Sequence, residues 1–297
     1  MNRILRRSTR GSLVLGAVTI ISQFWPVGTA SASTTGSGAV DVLYAGSLVT
    51  LMQDALGPAF DGVTGYTFDG FSGGSDALAA EIKGRTQLAD VFVSASPAVN
   101  TGLEGSANGS WVSWYVNFAT SPLVLGYNPH SSFASQLRSK PWFEVVAEPG
   151  FLLGRTDPTT DPKGKLAQAA LNQAAVTDRT PALSQLAQAT QGVYPEETLV
   201  GRLQSGQLDA GFFYSAEATA ANIPTVSLGS IHMQAHYTIT ILNRSPHPRA
   251  AEAFVTFLES RQGRRIMEHD GLAVITDPTV VGVGRVPATL RSVFAIP

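Results

Sequence analysis

The sequence predicts two α/β lobes joined by chain crossings and separated by a cleft, on three observations. Strand-like and helix-like stretches alternate from residue 39 onward. Two apolar stretches, 118–127 and 237–242, are placed to carry the chain out of a first lobe and back into it. About 265 residues remain once an N-terminal export signal is set aside, enough for one large or two medium domains. Alternation of this kind implies a mainly parallel sheet in each lobe with helices on its faces, and ligands of such sheets sit beyond the carboxyl ends of the strands.

Residues 1–10 carry Arg3, Arg6, Arg7 and Arg10, residues 11–25 are largely apolar and uncharged, and Ala30-Ser31-Ala32 is an A-x-A cleavage signature. That order is an export signal over 1–32. Its apolar stretch of about 15 residues is short of the roughly 20 that span a bilayer. Arg6-Arg7 fits a twin-arginine leader, but Ser8-Thr9-Arg10-Gly11 lacks the bulky apolar residues that follow such a pair, so the general secretory route is expected. Residues 33–38, rich in Ser, Thr and Gly, read as a flexible tether.

A strand is expected over 39–44, a helix over 49–60, a strand over 66–71, a helix over 77–83 and an apolar strand over 88–94. The strand at 118–127 leads into the second lobe, which holds a segment at 143–153, helices near 164–175 and 196–204, and a strand at 209–214. The strand at 237–242 returns to the first lobe, and 248–269 reads as one amphipathic helix. The expected division is 39–120 with 239–297 for lobe 1 and 121–238 for lobe 2.

Composition excludes whole classes of function. The chain has 0 Cys, so disulfides, thiolate metal sites, thiol catalysis and a lipid-modified N-terminal cysteine are ruled out. The net charge is -2 and no basic block follows the leader, so the electrostatic footprint of a nucleic-acid binder is missing. No internal repeat stands out, and no H-E-x-x-H, Walker or dinucleotide fingerprint is present.

Four segments place hydroxyls or free backbone N–H groups at turns beside helices. They are Ala45-Gly46-Ser47-Leu48, Gly73-Gly74-Ser75-Asp76, Asp161-Pro162-Lys163-Gly164 and the end of Leu208-Asp209-Ala210-Gly211-Phe212-Phe213-Tyr214. Helix N-termini carry unsatisfied N–H groups and partial positive charge, so together these segments read as a cradle for a small anion. Each has a bland reading as well: Ser47 and Ser75 are good N-caps, and Tyr214 taken alone is a half-buried core tyrosine.

Ala-Gly-Ser-Leu after a strand, Phe71-Ser72-Gly73-Gly74-Ser75, and Ala89-Asp90-Val91-Phe92-Val93-Ser94-Ala95 resemble the molybdate/tungstate-binding proteins of ABC importers. Asp157-Pro158-Thr159-Thr160-Asp161-Pro162-Lys163-Gly164, the 206–214 segment and 245–271 continue the likeness in the same order over nearly the whole mature chain. The resemblance implies a type II, two-lobed periplasmic binding fold whose hinge is crossed twice. It implies a monomer, exported and not lipid-anchored, that captures a small oxyanion and presents it to a membrane permease, with no catalysis and no cofactor. The oxyanion would be held by Ser47 and Ser75 from one lobe, and by amides near Lys163 and Glu196 and the Tyr214 hydroxyl from the other. A tetrahedral dianion offers only acceptors, so converging neutral donors and helix dipoles suit it.

The chain departs from that pattern at two positions, 213 and 163. Asp161 matches an aspartate that, in the archaeal branch, adds oxygen to the metal centre of the anion, but the position of its partner glutamate is Phe213. Tetrahedral binding is therefore expected, since an isolated Asp161 carboxylate next to a dianion needs a compensating charge, which pairing with Lys163 would supply. Lys163 stands where a small residue is usual, and its ammonium is expected to reach solvent, as lysine stems commonly do. Hydrogen-bond donors alone do not separate molybdate, tungstate and sulfate.

Other constellations carry less. His232 and His236 flank the entry to a strand with no third ligand nearby and read as surface histidines. Glu268-His269-Asp270 reads as an ordinary helix end. Trp111, Trp114, Tyr115 and Phe118 read as core or hinge packing rather than a sugar face. The alternative from another class is an exported carbohydrate-binding or hydrolytic protein using Asp69, Asp76 or Asp161, which would need carboxylates about 5 to 10 Å apart across the cleft.

Overall fold

The computed structural model describes residues 36–297. The signal expected at 1–32 and the first part of the tether lie outside the described residues. Ten strands are described: β1 (Ala39–Ala45), β2 (Thr67–Gly73), β3 (Val91–Ser94), β4 (Tyr115–Tyr127), β5 (Leu153–Thr156), β6 (Val193–Tyr194), β7 (Ala210–Tyr214), β8 (Thr225–Val226), β9 (Gln234–Ile241) and β10 (Ala273–Val281). They form one sheet in the order β2-β1-β3-β9-β4-β7-β5-β6, with β8 and β10 added beside β4.

The two ends of this sheet are parallel wings. In one, β1 pairs β2 from Ala39↔Thr67 to Ala45↔Gly73 and pairs β3 from Val42↔Val91. In the other, β5 pairs β7 and β6. Parallel strands need crossover connections, and the helices Ser75–Gly84, Pro162–Thr177 and Glu196–Gln204 lie within them. Between the wings β9 runs antiparallel to both β3 and β4. β4 pairs β9 as far as Pro122 and then pairs β7 from Leu123 to Tyr127. Pro122, exposed and without an N–H to give, stands where the strand changes partner. The apolar stretches read as crossings are therefore the two strands that join the wings.

Two helical expectations need correction. The helix expected at 49–60 extends to Thr64 and is wider in its first part, with a π-type turn over Leu51–Leu56 ahead of the α-helix Gly57–Thr64. It ends at Gly65, whose φ of 78° is the left-handed C′ conformation glycine supplies without strain. The single helix expected at 248–269 is two, Pro248–Glu259 and Arg261–His269. Ser260 is extended at ψ 163° and its hydroxyl accepts the Gly263 N–H, so it ends one helix and caps the next. Amphipathic periodicity survives such a break because both pieces bury the same kind of face.

Phe60 packs edge-on against Phe254 (5.3 Å between centroids) and Phe257 (5.8 Å), while Phe68 of β2 stacks on Phe254 (5.6 Å). Large side chains buried this way contribute roughly 1.5–3 kcal/mol each. Trp111, Trp114, Tyr115 and Phe118 are all buried in the core, as their packing role requires. No helix among the described residues is long and apolar enough to cross a membrane.

Candidate functional site

Chemistry-bearing residues gather where strands of both wings end. β1 runs into the turn Gly46–Leu48 and puts Ser47 just past its last residue. Ser47 shares a 2.9 Å hydrogen bond with Tyr237 of β9, 190 positions away. Ser75 opens the helix Ser75–Gly84, and its hydroxyl oxygen accepts the Ala95 N–H at 3.1 Å, which leaves its own O–H proton free to donate. Neither serine makes a side-chain cap, so the bland reading of both does not apply.

β5 ends at Thr156, and Asp161 then caps the helix Pro162–Thr177. Its Oδ1 accepts from the N–H groups of Lys163 (3.0 Å) and Gly164 (3.3 Å) and from the Thr156 hydroxyl (2.7 Å). The Gly73-Gly74-Ser75 turn lies against this one. The Thr160 carbonyl accepts the Ala77 N–H at 3.0 Å, a Cβ on Gly74 would stand 2.5 Å from that carbonyl oxygen, and Lys165 pairs with Asp76 at 2.7 Å.

Lys163 points inward, correcting the expectation that it reaches solvent, and is 1% exposed. Its ammonium donates to Glu196 Oε1 (2.8 Å) and contacts Glu217 Oε1 (2.8 Å) and Oε2 (2.7 Å), so its partners are these glutamates rather than Asp161. Three nearby carboxylates outweigh the cost of burying the cation. It also lies 5.4 Å from the centroid of the Phe213 ring and 5.7 Å from that of Tyr214. Burial alone would lower the pKa of Lys163, but the charges of Glu196 and Glu217 raise it above the ordinary lysine value.

Burial pushes Asp161 up to about 7, with the charge of Glu196 adding to the rise and Lys163 opposing it. Burial likewise pushes Glu217 up to about 7 against the pull of Lys163. Tyr214 and Tyr237 are raised well above the ordinary tyrosine value, chiefly by burial.

Two polar atoms in this cluster are buried with no hydrogen-bond partner, the Tyr214 hydroxyl and Glu196 Oε2. Tyr214 is 1% exposed and meets Tyr237 edge-on at 6.0 Å, so it is not a half-buried core tyrosine. Glu196 starts the helix Glu196–Gln204 and lines two cavities, one of about 110 Å³ beside Ser47 and Glu217 and one of about 330 Å³ beside Gly74 and Thr160. A water occupies about 30 Å³, so the smaller cavity is the size of a few waters or one small ion.

The structure thus brings Ser47, Asp161, Lys163, Glu196 and Tyr214 to one region, with Ser75 on the turn packed against Asp161. Sequence reasoning missed Glu217 and Tyr237. Glu217 stands three residues after Tyr214 and accepts its N–H at 3.2 Å, one half of a capping box that the Tyr-Ser-Ala-Glu spacing could have shown. Tyr237 meets Ser47 only through the tertiary fold.

Outside this region, His232 and His236 are exposed. Asp69 is exposed and Asp76 is engaged by Lys165, so neither joins Asp161 in a carboxylate pair. Asp41, Asp90 and His247 also come together, but Asp90 is already saturated by the N–H groups of Asp41 and His247 and the Ser245 hydroxyl.

The description "bacterial extracellular solute-binding protein" matches residues 40–273. A Haloferax volcanii protein provisionally named an ABC transporter molybdenum-binding protein is 31% identical over 67% of this chain and 64% of its own length. The molybdate/tungstate-binding protein WtpA of Pyrococcus abyssi is 25% identical over 63% of this chain and 69% of its own. Among solved structures, the sulfate-binding protein SubI of Mycobacterium tuberculosis superposes with a TM-score of 0.63 at 16% identity, covering 88% of this chain and 92% of that one. At that identity the likeness shows the two-lobed periplasmic binding fold alone.

Proposed function

Because the chain belongs to the bacterial extracellular solute-binding protein family, whose work is transport and not catalysis, we propose that it captures molybdate or tungstate between two lobes and delivers it to the permease of an ABC importer. The lobes are 39–120 with 239–297 and 121–238, hinged on β9, which pairs β3 and β4, and on β4, which pairs β9 and then β7. The protein acts as a monomer, and with 0 Cys it carries no lipid on an N-terminal cysteine.

The observation that carries this reading is the Tyr214 hydroxyl, fully buried, without a partner, and next to a second tyrosine held by Ser47. A buried O–H left unpaired costs about 1–3 kcal/mol, and an oxyanion oxygen would recover it. The free protons of Ser75 and the N-terminus of the helix Ser75–Gly84 add donors and positive potential, as an acceptor-only ligand requires. The anion stays tetrahedral, because Phe213 offers no oxygen where a second carboxylate would be needed.

Calorimetry of the mature chain with molybdate, tungstate, sulfate and phosphate tests the reading. Saturable binding of one molybdate or tungstate per chain is expected, weakened roughly 10- to 100-fold by Ser47→Ala or Ser75→Ala, since a hydrogen bond to a charged group contributes about 1.5–3 kcal/mol. Binding of none of the four anions, or a preference for sulfate, overturns it.

A further inference from the structure

An oxyanion entering this region meets three buried carboxylates, Asp161, Glu196 and Glu217, and one buried ammonium, an arrangement that by charge alone should repel it. The ammonium offers no relief. It has three donors, and the structure spends its contacts on Glu196 Oε1 and both Glu217 oxygens. Glu217 also accepts the Tyr214 N–H, and Asp161 Oδ1 accepts three bonds of its own. Glu196 Oε2 accepts none, although Glu196 is 6% exposed and lines both cavities. An ionised carboxylate oxygen and an oxyanion oxygen are both acceptors, and in a low-dielectric interior they repel. A single proton between them turns the repulsion into a short charge-assisted hydrogen bond, as two carboxylates sharing a site share one proton.

Resting on the oxyanion reading above, we propose that Glu196 is the specificity-determining residue of the site: its Oε2 and one oxygen of the bound anion share a proton taken from solvent, so the protein captures the anion and a proton together. The anion must then be basic enough to share that proton. Sulfate is a far weaker base than molybdate or tungstate, and it is the ion this arrangement discriminates against.

The groups facing Glu196 set the charge balance. Lys163 comes from the helix Pro162–Thr177 and Asp161 from its cap, Asp157 from the loop after β5, Tyr214 from the end of β7, Glu217 from the short helix Ser215–Ala220, Tyr237 from β9, and the exposed Glu197 from its own helix. The turn Gly46–Leu48 adds backbone and the Ser47 hydroxyl but no charge. Burial pushes Asp161 and Glu217 up to about 7, so these two carboxylates beside Glu196 exchange protons near neutral pH.

The test is calorimetry of the mature protein with molybdate and with sulfate at pH 6, 7 and 8, each in two buffers of different ionisation enthalpy. Wild type should take up about one proton per molybdate and bind about tenfold more weakly for each pH unit gained. Glu196→Gln supplies an N–H donor that needs no proton. That variant should bind molybdate with no proton uptake and reduce discrimination against sulfate at least about tenfold. Molybdate binding to wild type without proton exchange overturns the proposal while leaving the oxyanion reading intact. Proton uptake that persists in Glu196→Gln overturns the assignment to Glu196. Failure of wild type to bind any oxyanion overturns both. The wild-type measurement needs no variant to fold.

Discussion

Removing the Lys163 ammonium would leave Glu196, Glu217 and Asp161 in the interior with no cation against them. Deleting one partner of a buried ion pair costs roughly 3–5 kcal/mol, because the surviving charge stays desolvated. Lys163→Met is therefore expected to lower the unfolding free energy measured in urea by that much, and a loss below about 1 kcal/mol would mean the carboxylates had simply taken up protons. At this scale the sequence was legible where a residue's role follows from its local segment. Ser47, Ser75 and Tyr214 could be singled out because each sits beside a turn next to a helix, whereas Glu196 entered only through the family resemblance. The direction of Lys163 was not legible, since it depends on Glu196 and Glu217, 33 and 54 positions away. A lysine stem reaches water or an interior carboxylate with equal ease, and only the fold decides which is nearer.

Elements were the most legible scale, because hydrophobic period and punctuation are local properties. The helix at 196–204 and the strand ending at Tyr214 lie where their patterns place them. The break at Ser260 was hidden, since a serine inside an amphipathic run looks like any polar-face residue until its hydroxyl is seen accepting the Gly263 N–H. The short helix after β7 carries a consequence for stability. Glu217 is raised from its ordinary 4.5 to about 7 by burial, so the folded chain binds more protons than the unfolded chain between those values. Stability must then fall as pH rises through that window and level off above it. Thermal melts from pH 5 to 8 should show this fall in the ligand-free protein, and Glu217→Gln should lessen it, leaving the part due to Asp161, which burial raises from 3.8 to about 7 in the same way. Equal slopes in the two proteins would place the titration elsewhere.

Over the whole molecule, the sequence revealed two wings and two crossings but not that the wings share one continuous sheet, because strand pairing across the β4 and β9 junction is long-range. It also could not show how tightly the Gly74 and Thr160 turns meet. Gly74 has φ -59° and ψ 129°, a conformation open to any residue, so the backbone there does not require glycine. What requires it is the Thr160 carbonyl, 2.5 Å from where a methyl would be. The absent methyl is thus a matter of residence time: Gly74→Ala wedges the two turns apart without touching an anion ligand. Stopped-flow binding should show an unchanged association rate and faster release, and solution scattering should show a ligand-bound radius larger than that of wild type. If release is not accelerated, the turns are not what keeps a captured anion from leaving before the permease receives it.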